Sequence, residues 1–153
     1  MSQGDAEGRE AALPLGFLIA LAGQYAADGF RATIEPLGVT PRHFAILWAL
    51  TREDGQTQQT LADSLRIPAS RVVALIDRLA ELGAVERHPS PTDRRVRHVM
   101  ITEEGRLLAS ELQALAKTFE ERLLVDLSIE EQQTMRAMLV RLGMAQGAWL
   151  DRG

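Results

Sequence analysis

Apolar residues spaced by three and four recur in six stretches of this chain, and one short stretch breaks that rhythm. The clearest repeat is Val72, Leu75, Ile76, Leu79 and Leu82, with Ser70, Arg71, Arg78 and Glu81 over much of the remaining surface. That pattern predicts an amphipathic helix over residues 68–82. Gly83 ends it, because glycine enters the left-handed conformation at little cost. Two short β segments follow, at about 84–88 and 97–101, joined by a loop that carries Pro89, Pro91, Asp93, Arg94 and Arg95.

The other helices are bounded by readable signals. The first starts near residues 12–14, with Pro14 tolerated in an opening turn, and runs to about Glu35 on Leu18, Leu21, Tyr25 and Phe30. Gly23 and Gly29 weaken its pattern, and Pro36, Leu37 and Gly38 stop it. Thr40 and Pro41 form a cap and first position for a second helix over 41–51, with Phe44, Leu47, Trp48 and Leu50 available for burial. A turn at Asp54 and Gly55 leads to a third helix, capped at Gln56 or Thr57 and ending near Arg66. Its short link to the helix at 68–82 is the mark of a helix-turn-helix, and the hairpin after it makes the unit winged.

Thr102, Glu103 and Glu104 suit the start of a fifth helix that reaches about Leu127. Ser128 and Glu131 read as a capping box for a sixth, which carries Met135, Met138, Leu139 and Leu142 and fades at Gly147. The expected fold is therefore mainly α with a small β wing. It divides into a loose tail at 1–12, a helical dimerisation region at 13–37 and 103–147, and a winged helix-turn-helix at 38–102. The terminal helices carry more apolar surface than a small winged core needs. A second copy would cover it; the plainer alternative is that they cap their own core.

Composition sharpens the picture in three places. Of 153 residues 46% are hydrophobic, enough for one core. The net charge of −4 excludes a generally basic coat, yet residues 66–97 hold seven arginines against four acids, a local excess of three positive charges. The absence of cysteine excludes thiol redox sensing, disulfides and thiolate metal sites. No signal peptide or long apolar span is visible, so a cytoplasmic protein without membrane contact is expected. Nucleophile motifs, phosphate loops and metalloprotease motifs are missing as well, so neither an enzyme nor a cofactor is expected.

A helix followed by an arginine-tipped hairpin suits duplex DNA. The helix fits the major groove, and the tip reaches the backbone or the adjacent minor groove. Candidate contacts are Ser70, Arg71, Val73 and Arg78 on the helix, Arg94, Arg95 and Arg97 on the wing, and Thr57, Gln58 and Gln59 at the start of the preceding helix. Each has a plainer reading. Arg94 and Arg95 fit a solvated turn, Ser70 a local cap, and Arg78 a brace between helix and wing. His88 and His98 are placed to face each other across the hairpin, but further metal ligands are missing. Tyr25, Asp28, Arg31, His43, Phe44 and Trp48 outline a pocket between the first two helices, or ordinary packing. A winged domain that binds another protein and has lost base readout is the competing class.

The order of helices and the run from Asp93 to Gly105 resemble the MarR family of bacterial transcription regulators. Its wing follows D-x-R and a strand ending L-T-x-x-G, with Ile101 here in the place of that leucine. Asp77-Arg78-Leu79 and Gly83-Ala84-Val85-Glu86-Arg87 match the family's D-R-L and G-L-V-E-R runs, Ala84 standing for leucine, while Val73 and Ala74 depart from its recognition helix. The resemblance covers roughly residues 13–144. It implies a homodimeric repressor on a pseudo-palindromic DNA site, released by a small aromatic or anionic effector. It implies that Arg95 enters the minor groove, with Asp93 placed to hold it by an ion pair and Arg94 free for phosphate.

Overall fold

The computed structural model describes residues 13–145, so the tail read at 1–12 and the end of the last helix at 147 lie outside the described residues. In chain order the elements are α1 (Leu15–Ile34), a 3₁₀ turn (Glu35–Leu37), α2 (Pro41–Arg52), β1 (Gln56–Thr57), α3 (Gln58–Leu65), α4 (Ala69–Glu81), β2 (Val85–Pro89), β3 (Arg97–Ile101), α5 (Glu103–Leu123) and α6 (Ile129–Ala145). The chain is mainly helical with one small antiparallel sheet, as its pattern predicts.

The core forms where α2, α3 and α4 meet the hairpin and α5. Ile46, Leu47, Leu50, Leu61, Val72, Ile76, Leu79, Val99 and Leu112 are fully buried there. The three buried residues of α4 are members of its apolar repeat, so burial of that stripe is what docks the helix. Truncation of such a side chain to alanine typically costs about 2–5 kcal/mol.

Turns and caps set the entry angles. Arg66 closes α3 in the left-handed conformation at φ 50°, the sole non-glycine residue with positive φ among the described residues. This allows a three-residue turn into α4. Thr102 caps α5 by accepting from Gly105 N–H at 3.0 Å, and its own hydroxyl donates to the Gly83 carbonyl at 2.6 Å. The start of α5 is thereby pinned to the turn that follows α4. Gly105 lies so close to that turn that a Cβ there would clash with the Ala84 carbonyl oxygen and meet Ile101 Cγ1 at 2.8 Å.

Two features differ from the sequence expectation. The hairpin has a third strand: Gln56 and Thr57 pair with Val99 and His98, giving the sheet order β1-β3-β2. A two-residue strand has no period to read. The fifth helix ends at Leu123, not near Leu127. Gln132 Nε2 donates to the carbonyls of Leu124 and Leu127 at 3.3 and 2.9 Å, which satisfies the turn without further helix. The capping box at Ser128 and Glu131 is formed as expected.

Gly29, which weakens the apolar pattern of α1, has a packing reason. A Cβ there would stand 2.7 Å from Phe119 Cε2, so glycine lets α1 lie close against α5. Little else on α1 is covered. Ile34 alone is buried, while Leu15, Phe17, Leu21 and Tyr25 are exposed.

Candidate nucleic-acid interface

Ser70, Arg71, Val73 and Ala74 all face solvent on the first two turns of α4. The repeat that buries Val72 and Ile76 leaves these four outward. The hairpin beside them carries the exposed Arg94 and Arg95 at its tip and the exposed Arg97 at the start of β3. Its strands pair in register from Val85 with Ile101 to Pro89 with Arg97, and His88 and His98 are cross-strand partners. One ring nitrogen of each already has a partner: His98 Nδ1 lies 2.6 Å from the Gly55 carbonyl, and His88 Nε2 lies 3.0 Å from Glu86 Oε2. Among the described residues no group of three potential ligands converges.

The tip is internally braced. Ser90 N–H donates to the Val96 carbonyl and Val96 N–H to the Asp93 carbonyl, both at 3.0 Å. Asp93 Oδ1 accepts from the backbone N–H of Arg95 at 2.9 Å. The ion pair expected between Asp93 and the Arg95 guanidinium is not formed. A carboxylate two residues before an N–H in a turn closes an Asx turn instead. Asp93 therefore shapes the tip and leaves the guanidinium to solvent.

The start of α3 is partly committed to the protein itself. Thr57 is half-buried and caps the helix through Thr60 N–H at 3.0 Å. Gln59 donates to Asp63 at 2.8 Å, and Gln58 Oε1 accepts from Arg87 Nε at 2.7 Å. Arg78 stands apart from this cluster. Its Nε donates to the Gly38 carbonyl at 3.3 Å and its Nη1 meets Glu81 at 3.2 Å. It thus braces α4 against the link between α1 and α2, not against the wing, because the carbonyl within its reach is Gly38.

The comparisons with known proteins agree on one family. The MarR family model matches residues 37–96. A probable transcriptional regulator from Pseudomonas aeruginosa is 30% identical and superposes with a TM-score of 0.74, over 84% of this chain and 96% of that one. The chain belongs to the MarR family. Mutant MarR from E. coli complexed with operator DNA superposes with a TM-score of 0.74 at 26% identity, over 85% of this chain and 94% of that one. The Mycobacterium tuberculosis HTH-type transcriptional repressor Rv2887 is 28% identical over 85% of this chain and 94% of its own length. Its complex with DNA gives a TM-score of 0.74.

Within this MarR-family frame the six candidate pocket residues separate into three groups. Phe44 and Trp48 continue an aromatic row: Phe30 meets Phe44 edge-on at 5.8 Å, Trp48 lies 6.4 Å beyond Phe44, and Phe119 closes the far end. Asp28 and Arg31 form an exposed ion pair at 3.3 Å, and Tyr25 is exposed on α1. His43 is instead a buried cap. Its Nδ1 accepts from Thr40 N–H at 2.9 Å, which places the proton of the neutral ring on Nε2, a buried atom without a hydrogen-bond partner among the described residues. Burial first, and then the nearby Arg78 charge, hold His43 below its ordinary pKa of 6.5.

The sign of the pH effect follows. A lowered folded value means that the folded state binds protons less readily than the unfolded one. The contribution of His43 to stability is complete above 6.5 and is lost as pH falls through the lowered value. Glutamine suits the same capping position without titrating. Urea unfolding of wild type and His43→Gln between pH 8 and pH 5 should show wild type losing stability relative to the variant as pH drops. Parallel curves would refute the buried neutral cap.

Among the described residues no helix is long and apolar enough to cross a membrane.

Proposed function

We propose that this protein is a ligand-responsive repressor that binds a pseudo-palindromic DNA site as a homodimer. In this reading α4 reads the major groove through Ser70, Arg71 and Val73, Arg95 enters the minor groove, and Arg94 and Arg97 meet phosphates. Residues 38–102 act as the DNA-binding unit, and 13–37 with 103–147 as the dimer frame. The observation that carries it is the pair of exposed arginines, Arg94 and Arg95, on a braced hairpin beside the outward face of α4. Two related proteins of the same fold are known in complexes with DNA.

The dimer rests on the uncovered apolar faces. Phe17 and Leu21 on α1, and Ile129, Met138 and Leu142 on α6, are between 46% and 73% exposed in one copy. Large apolar side chains left this exposed along two helices mark an interaction surface. A two-fold pair also suits DNA, because two recognition helices can then read half-sites about 34–36 Å apart, one helical turn.

The ligand response rests on the aromatic row of Phe30, Phe44 and Trp48, which suits a small aromatic effector, and on the exposed Asp28–Arg31 pair of α1, whose arginine suits an anionic one. Such a compound acts only if it binds the arrangement that cannot hold DNA more tightly than the one that can.

The test is a titration of fragments selected from a random duplex pool, with sedimentation of the free protein. The expected results are a two-copy species, a selected site of two inverted halves, and affinity that falls steeply with salt. An effector should weaken that same binding. A protein that sediments as one copy, or holds all duplexes equally at moderate salt, would contradict the proposal.

A further inference from the structure

Arg87 is a half-buried arginine on β2 and is not among the residues that the DNA reading uses for contact. Its guanidinium joins three pieces of the interface. Nε donates to Gln58 Oε1 at 2.7 Å, at the start of α3. Nη2 donates to the Val73 carbonyl at 3.3 Å and meets Asp77 Oδ1 at 2.6 Å, both on α4. Val73 and Asp77 are four residues apart, so one nitrogen holds two successive turns of the recognition helix.

The chemistry of this fork is directional. Gln58 is an amide with one acceptor end and one donor end. A guanidinium has donors only, so it binds the acceptor end. The NH₂ end of Gln58 is then turned away from Arg87, in a half-buried side chain at the first turn of α3. Phosphate oxygens accept hydrogen bonds and do not donate them, so this is the end a DNA backbone can use. An unheld glutamine would present either end and would need ordering on binding.

We propose that Arg87 is a positioning residue for DNA recognition: it locks the wing to α4 and turns the donor end of Gln58 outward for phosphate, without itself touching DNA. A lysine cannot replace it, since an ammonium has no planar fork to span Gln58 and α4 together. The inference rests on the DNA-binding reading above.

The experiment uses the full chain and the duplex it selects, with wild type, Arg87→Lys, Arg87→Met, Gln58→Ala and the double variant of Arg87→Met with Gln58→Ala. Arg87→Met and Gln58→Ala should each lower affinity about tenfold. The double variant should fall little further, because both substitutions remove one linked interaction. Arg87→Lys should lose nearly as much as Arg87→Met although it keeps the charge. The slope of log affinity against log salt should stay at the wild-type value for Arg87→Lys and Arg87→Met, since no phosphate contact of Arg87 is lost.

Full binding by Arg87→Lys would overturn the proposal. So would effects of Arg87→Met and Gln58→Ala that multiply independently, or a salt slope reduced by about one per copy, the mark of a direct phosphate contact. Thermal melting accompanies each variant. Should Arg87→Met fail to fold, Arg87→Lys and Gln58→Ala with their salt slopes decide the matter. Wild type that does not discriminate its selected duplex from a scrambled one refutes the DNA reading. Wild type that discriminates, with both Arg87 variants doing so equally well, refutes this inference alone.

Discussion

Arg95→Ala is expected to lower affinity for the selected duplex about 100-fold while leaving the melting temperature within about 2 °C of wild type. The size follows from counting. A guanidinium contact to base edges is worth about 1–3 kcal/mol, the proposed dimer would make two of them, and about 1.4 kcal/mol from each multiplies to two factors of ten. Stability is spared because the part of Arg95 that the fold uses is its backbone N–H, which Asp93 Oδ1 accepts at 2.9 Å, and alanine keeps that group. Equilibrium titration by fluorescence anisotropy, with a melting curve on the same samples, provides both readings. The competing class makes the opposite forecast. If the winged unit binds a protein and not DNA, the substitution leaves duplex affinity where it was.

Gly105→Ala should be the most damaging small substitution in the chain, costing about 3 kcal/mol and lowering the melting temperature by about 10 °C. The new methyl group has nowhere to go. It would clash with the Ala84 carbonyl oxygen, lie 2.9 Å from the Ala84 carbonyl carbon and 2.8 Å from Ile101 Cγ1. Backbone cannot move aside as a flexible side chain can, so the first turn of α5 must lift. That same carbonyl accepts from Thr102 N–H at 3.0 Å, and the neighbouring Gly83 carbonyl accepts from the Thr102 hydroxyl at 2.6 Å, so the lift also strains the cap. In an ordinary helix interior, alanine in place of glycine is stabilising by up to about 1 kcal/mol. Calorimetry thus separates the two cases by sign. A melting temperature equal to or above wild type would show that α5 is not seated on the turn after α4.

How much of this was legible in the sequence depended on the range of the interaction. Helix α4 could be read because its three buried residues recur at helical spacing. The caps at Thr102 and Ser128 could be read because donor and acceptor lie three residues apart. The hairpin could be read from its flanks, and its arginine tip from composition. What escaped is what joins distant segments. β1 is two residues long and exists because β3 offers it an edge. The Arg87–Gln58 bond spans 29 residues and the Arg78–Gly38 bond 40, and no local pattern announces either. Arg78 shows the difficulty well. On its pattern it suits a phosphate or a brace to the wing equally well, and only the folded chain reveals the Gly38 carbonyl. Asp93 illustrates a milder form of it: the spacing to Arg95 is right, but the backbone N–H outcompetes the longer side chain.

The small bonds inside the wing tip have a kinetic consequence. Ser90, Asp93, Arg95 and Val96 are already tied to one another, and the base of the hairpin is sewn into a three-stranded sheet. Under the DNA-binding proposal, a finger built this way would meet a groove as a stiff prong. Little chain entropy is surrendered on docking, and no folding step stands between collision and capture. The speed of association should then be governed by charge and diffusion, and the lifetime of the complex by the guanidinium groups of Arg94 and Arg95 at the tip.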